Sequence, residues 1–188
     1  MSVLWKITDD HPAVGLRDYK RFLRFPPARA LEGPLADNAA WASDWFAAHV
    51  RPWSAAIRVD DTVRALVGPR FPGITDLAII VASAGPEAEA EAAARWAANE
   101  PDRYYFLECY AAATVEALLA AGRRRVGADK HLCPGFRDWP ITDNHVLLAA
   151  LRAADALPGP LMVLSSGMLS PKKSQLAVCA LRTEPIPA

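Results

Sequence analysis

The run Ile74-Thr-Asp-Leu-Ala-Ile-Ile-Val-Ala82 constrains the fold more than any other segment. A strand with one wet face alternates apolar and polar residues, whereas this run is continuously apolar, so it predicts a strand central in its sheet. The next stretch reads as helix. Pro86 suits a first helical turn, and Glu87, Glu89 and Glu91 sit at the positive end of the helix dipole. This helix is expected over 86–99. Pro101-Asp102 restarts a second, over 102–121, with Gly122 as its C-cap and Arg123-Arg124-Arg125 just beyond. A helical hairpin therefore succeeds a central strand.

The flanking segments supply the remaining elements. A helix over 37–50 is capped by Asp37 and places Trp41, Trp45 and Ala48 on one face, as core or as a partner surface. Residues 53–60 alternate well enough for a strand with one wet face. Residues 62–71 form a short helix or strand. A last helix is expected over 141–156, capped by Thr142, with Val146, Leu147, Ala150, Leu151 and Ala154 as its apolar face. Strands are expected over 161–164 and 175–181. Residues 1–35 read as strand fragments and loop, broken by Pro12, Pro26, Pro27 and Pro34. The tail, 182–188, is expected to fray. The result is one α+β domain over 1–188, with a mainly antiparallel sheet carrying 74–82, 161–164 and 175–181.

Charge and cysteine content exclude several classes. The 21 cations balance 21 acids, whereas a nucleic-acid binder needs a basic face. A pI near 6.9 gives little protection against self-association and is compatible with a homodimer. Cys109, Cys133 and Cys179 form no CxxC, which argues against a disulfide framework or a zinc site. No run reaches the ~18 apolar residues of a membrane span, and the N-terminus turns acidic before a signal-like segment develops. A cytoplasmic protein is expected.

No P-loop, G-x-G-x-x-G, H-E-x-x-H or G-x-S-x-G occurs. His11, His49, His131 and His145 lack metal-ligand spacing. Cys133 with His131 or His145 as its base can be drawn, but residues two apart on an extended segment meet only by pleat alternation. No catalytic residue and no metal ligand is assigned. Glu108 lies among Tyr104, Tyr105, Ala111 and Ala112, and the nearest cation on its helix, Arg103, is five residues back. Such a carboxylate either snorkels to solvent or is held buried for a function.

Two segments carry further information: Cys133-Pro-Gly-Phe-Arg-Asp-Trp-Pro140 and Met168-Leu-Ser-Pro-Lys-Lys-Ser174. In the first, Pro fixes φ and Gly accepts positive φ, which forces a tight turn. The stretch from Leu132 to Leu148 resembles the hallmark segment of the activation domain of cobalamin-dependent methionine synthase. It is closer still to free-standing relatives with a Pro-Gly-Tyr-Gly-Asp-Trp/Phe-Pro pattern. Ser166 to Ser174 resembles their Met-x-Pro-x-Lys-Ser turn, and Ile79 to Glu87 their strand-to-helix block. The likeness covers about 53–182, leaving 1–52 as an N-terminal extension packed on the domain.

This resemblance implies a C-shaped α+β fold with a twisted antiparallel sheet. It implies S-adenosylmethionine as ligand, and cobalamin held by a partner, a corrinoid-binding protein or methyltransferase subunit. A flavodoxin-type donor would supply the electron for reductive methylation. The implied ligand-binding residues are His131, Cys133, Pro134, Gly135, Phe136, Asp138, Lys173 and Ser174. Backbone groups of Cys133 and Gly135, the Phe136 ring and the Asp138 side chain are expected to line a cleft between the two segments. His131 stands where the family has an arginine, Phe136 where it has a tyrosine, and Arg137 where it has a small residue. Losing a guanidinium partner for the ligand's carboxylate is expected to weaken binding, with Lys130 offsetting part of the loss. The alternative is a corrinoid-associated docking module that has lost the small molecule.

Overall fold

The computed structural model describes residues 2–181, so the 182–188 tail lies outside the described residues. Five strands form one antiparallel sheet: β1 (Ser2–Ile7), β2 (Trp53–Arg58), β3 (Leu77–Ser83), β4 (His131–Leu132) and β7 (Ser174–Ala180). Two more, β5 (Met162–Val163) and β6 (Leu169–Ser170), pair with each other in a separate hairpin. The order across the main sheet is β1-β2-β3-β7-β4. β3 is the middle strand and every one of its residues is buried. Its alternation explains the continuous apolar run. Leu77, Ile79 and Val81 point into one core, Ala78, Ile80 and Ala82 into a second on the opposite face.

Helices cover both faces. α1 (Leu16–Phe22) packs at the N-terminal side of the molecule. α2 (Pro34–His49), α4 (Pro86–Ala97) and α5 (Pro101–Arg125) lie on the second face. α3 (Asp61–Val67) and α6 (Asn144–Ala153) lie on the first. Small residues, Ala56, Ala78, Ala82 and Ala177, line the sheet under α5. They let the helix axis approach closely, and Gly122 extends the same contact. A Cβ there would stand 3.0 Å from Ile80 Cγ2 and 3.2 Å from Trp5 Cζ2. Gly122 is therefore a packing glycine inside α5 and not its C-cap. The helix runs on to Arg125.

Other expectations shift in the same way. The Trp53–Arg58 strand is buried at every position but Arg58, so it has no wet face. α2 begins at Pro34 after Gly33, so Asp37 is not its cap, and its buried face is Ala39, Ala42 and Phe46. Trp41 and Trp45 flank that face, half-buried, with the guanidiniums of Arg95 and Arg103 5.2 and 5.1 Å from the Trp41 ring. Residues 61–67 are helix, capped by the Asp60 side chain. Thr142 lies in a 3-10 turn, Ile141–Asp143, and makes no capping bond, while Val146 is exposed. Because β5 pairs only with β6, the 161–164 segment is not part of the main sheet.

The N-terminal residues are integral to the architecture. β1 extends the sheet beside β2. α1 packs on α2 and α5 through Tyr19, Leu23 and Phe106. Among the described residues no helix is long and apolar enough to cross a membrane.

Candidate functional site

The 133–139 loop is two successive tight turns. Phe136 N–H donates to the Cys133 carbonyl at 3.2 Å with Pro134 and Gly135 between them, and Gly135 has φ +88°. Pro at the second position and a positive-φ Gly at the third define a type II turn. Trp139 N–H then donates to the Phe136 carbonyl at 3.1 Å. Buried Trp139 pins the loop, its indole N–H donating to Asp143 at 2.7 Å.

The 168–174 turn reaches the same end of the molecule through a different set of bonds. Ala84 N–H donates to the Lys173 carbonyl at 2.8 Å, and Lys172 N–H to the Glu89 carboxylate at 2.9 Å. The hydroxyls of Ser83 and Ser174 share a hydrogen bond of 2.8 Å. Asn144 Nδ2 donates to the Gly167 carbonyl at 2.9 Å, tying the hairpin to the segment just after the 133–139 loop.

A cleft of about 1150 Å3 opens between these two segments, beside the short edge strand β4. His131, Cys133, Phe136, Asp138, Lys173 and Ser174 line it. Pro134 and Gly135 do not. Pro134 is buried, and a Cβ on Gly135 would point at the Ile141 side chain, 3.4 Å away. Their role is to shape the turn that presents Phe136, which is 64% exposed. Lys130 is not among the lining residues.

Glu108 lies outside the cleft lining and supports it from behind. Its carboxylate accepts from Lys172 Nζ at 2.9 Å and Lys173 Nζ at 3.3 Å. It is neither snorkelling nor isolated: its cations come from a distant loop that no helical spacing could reveal.

The chemistry of β4 is that of neutral groups. Antiparallel pairing sets His131 opposite Cys179, so pleat alternation turns His131 and Cys133 towards α5. Burial and the charge of Arg123 hold the His131 imidazole below its ordinary value, outweighing Glu116. His131 Nδ1 is buried without a partner. Burial pushes the Cys133 thiol up to about 11, although Gln175 Nε2 donates to its sulfur at 3.0 Å. A neutral thiol beside a neutral imidazole is not an activated nucleophile. Among the described residues no group of three or more His, Cys, Asp or Glu could hold a metal ion.

Sequence reasoning missed half of the cleft. Glu116 and Val115 of α5 form part of its lining, and Arg21, Phe22, Arg24 and Arg70 enter from elements with no motif. Position 131 holds histidine and not the family's arginine, while guanidiniums of other segments line the cleft. No periodicity carries this information, because a seven-residue helix such as α1 leaves too short a pattern to read.

No family model matches the chain, and no curated protein matches it. Among solved structures it is similar to the MetH reactivation domain, whose crystal structure was determined bound to AdoHcy. The TM-score is 0.61 at 12% identity, and the match covers 81% of this chain and 66% of that one. The chain has the fold of that reactivation domain: helices on a mainly antiparallel sheet.

Proposed function

We propose that the chain binds S-adenosylmethionine in the cleft between the 131–139 and 168–174 segments and supports reductive reactivation of a corrinoid protein. The observation that carries this reading is the convergence of those two segments on one cleft, in a fold shared with a domain crystallised with AdoHcy. The residues present fit the ligand. The volume exceeds that of a nucleoside with an amino-acid arm. Phe136 offers an exposed ring, the turns offer backbone groups, and the floor is partly apolar, at Ala112 and Val115.

S-adenosylmethionine supplies an electrophilic methyl group. This chain's contribution is to bind and orient it against an acceptor, an effect of placement without a catalytic side chain. Cobalamin would be held by a partner. A flavodoxin-type protein would be the electron donor.

Calorimetric titration of the full chain with S-adenosylmethionine and with S-adenosylhomocysteine, each with and without cobalamin, tests the reading. One-to-one binding of either is expected. No heat with either up to millimolar concentration overturns it and favours a docking module that has lost the small molecule. The half-buried His131, its pKa held below the ordinary value and its Nδ1 without a partner, favours this second reading.

A further inference from the structure

Four arginines line the cleft, three of them from elements that carry no motif. Arg21 and Arg24 come from α1 and the turn after it, Arg70 from the 3-10 turn after α3, and Arg137 from the tight loop. Among the described residues, the ion pairs made by arginine involve other members of the chain, and none of these four is engaged by a carboxylate. Lys172 and Lys173 share the single negative charge of Glu108 behind them, which leaves one positive charge over. Only Glu116 and Asp138 oppose the arginines from the cleft lining. The chain as a whole has no net charge, so this is a local concentration of positive charge in a concavity, where field lines focus.

Arg21, Arg24 and Arg137 are exposed to solvent, but the backbone that carries the first two is tied down and two of the four side chains lie over aromatic rings. The Phe22 carbonyl accepts from the Cys109 thiol at 3.4 Å, and the Leu23 carbonyl from the Tyr105 hydroxyl at 3.1 Å. Both bonds tie the backbone around Arg24 to α5, which also forms part of the cleft. Arg70 lies 4.9 Å over the Trp139 ring, and Arg21 5.1 Å over that of Phe22. Arg24 and Arg137 both adopt the left-handed region, at φ +52° and +54°. For Arg24 this is the left-handed residue that ends α1, with the Phe25 N–H donating to the Lys20 carbonyl at 2.9 Å, as at Asn99 and Asp155 after α4 and α6. Two segments far apart in the chain thus each place an arginine at the same cleft.

We infer that these arginines form an oxyanion subsite in which Arg24 and Arg137 grip a carboxylate or a phosphate ester of the ligand, with Arg21 and Arg70 adding to the field. A planar fork of N–H donors is the group that recognises either oxyanion in two-point fashion. The carboxylate form rests on the function proposed above, the amino-acid arm of an S-adenosyl compound being its source. The phosphate form is independent of it.

Three probes separate these cases by titration calorimetry of the full chain: S-adenosylhomocysteine, 5′-methylthioadenosine, which lacks the amino-acid arm, and inorganic pyrophosphate. Wild type is compared with Arg24→Gln/Arg137→Gln and with Arg17→Gln, an exposed arginine of α1 outside the cleft. The double variant should lose at least about tenfold in affinity for one oxyanion probe, while Arg17→Gln loses none and methylthioadenosine is unaffected. Loss confined to S-adenosylhomocysteine identifies a carboxylate. Loss confined to pyrophosphate, with no S-adenosyl binding, supports the subsite and counts against the proposed function. S-adenosyl binding that is untouched in the double variant retains the function and overturns the subsite. So does failure of every probe to bind wild type at about 10 mM, far above any specific affinity. Salt provides a check on the unmutated chain: affinity for the bound oxyanion probe must fall as ionic strength rises, and a flat response overturns the inference.

Discussion

Glu108 Oε1 lies 2.9 Å from Lys172 Nζ, joining the first half of the longest helix to the turn on one side of the cleft. The other carboxylate oxygen is 3.3 Å from Lys173 Nζ. One acid therefore bridges two adjacent cations whose backbone is bonded to the end of β3 and to α4. The pairing is more than a surface ornament, since the Glu108 side chain is only 14% exposed.

Glu108→Gln keeps the shape and removes the charge that the two ammonium groups share, leaving Lys172 with only the field of Glu89 and Lys173 with no ion pair among the described residues. The expected loss is about 1–3 kcal/mol, read as a lowered melting temperature. Lys172 adds a pH signature. Burial pushes its pKa down, but the hydrogen bond and charge of Glu108 push it up by more, leaving it above 10.5. Its contribution to stability is complete below the unfolded-state value and is lost as pH rises through the folded one. Wild type should lose stability more steeply than Glu108→Gln across that alkaline window, and parallel curves would refute the pairing.

Gly167→Ala should separate the hairpin from the segment after the tight loop. Gly167 has φ +86°, and a Cβ there would lie 2.9 Å from the carbonyl carbon and oxygen of Ile141 and the amide of Thr142. Backbone cannot step aside as a side chain can. Conformational strain and overlap together should cost about 2–4 kcal/mol in denaturant unfolding. Ser166→Ala, which gives up only a 3.4 Å bond to the Met168 amide, should cost less than about 1 kcal/mol. Equal effects at the two positions would contradict this account.

The three cysteines should be inert in the folded chain. Burial raises Cys133 to about 11 and Cys179 to about 12, and Cys109 also stands above its ordinary value. At about pH 8 a disulfide reagent should modify them only on unfolding, because the thiolate is the reacting species. A rapid, stoichiometric reaction of one thiol in the native chain would show that it is neither buried nor neutral.

His131 should titrate below the ordinary histidine value of 6.5. A group with a depressed folded-state pKa contributes stability that is present above its unfolded value and lost as pH falls through the folded one. Melting temperature should therefore decline on acidification below about 6.5, and His131→Asn should flatten part of that decline. Proton NMR of the imidazole measures the same shift directly. His131→Arg would set a second cation beside Arg123 and should destabilise the fold, whereas Phe136→Tyr, at an exposed ring, should not. A His131→Arg chain as stable as wild type would refute the repulsion from Arg123.

Local sequence carried the elements whose cause is local. The apolar run at 77–83 identified the central strand, because a strand covered on both faces leaves no polar alternation to mislead. Pro134 and Gly135 identified the turn, because its backbone angles are their own preferences. The two segments bordering the cleft were legible through their resemblance to a known pattern. Contacts between distant segments were not legible. Periodicity placed Glu108 on an apolar stretch but could not supply Lys172 and Lys173. Gly122 looked like a helix end because glycine usually is one, and only Ile80 and Trp5 show why a helix interior needs it. The arginines at 21 and 24 reach the cleft because Tyr105 and Cys109 hold carbonyls of the N-terminal segment against α5. Which surfaces close around a site depends on packing between segments far apart in the chain, and a one-dimensional pattern records only that a face is apolar, never what will cover it.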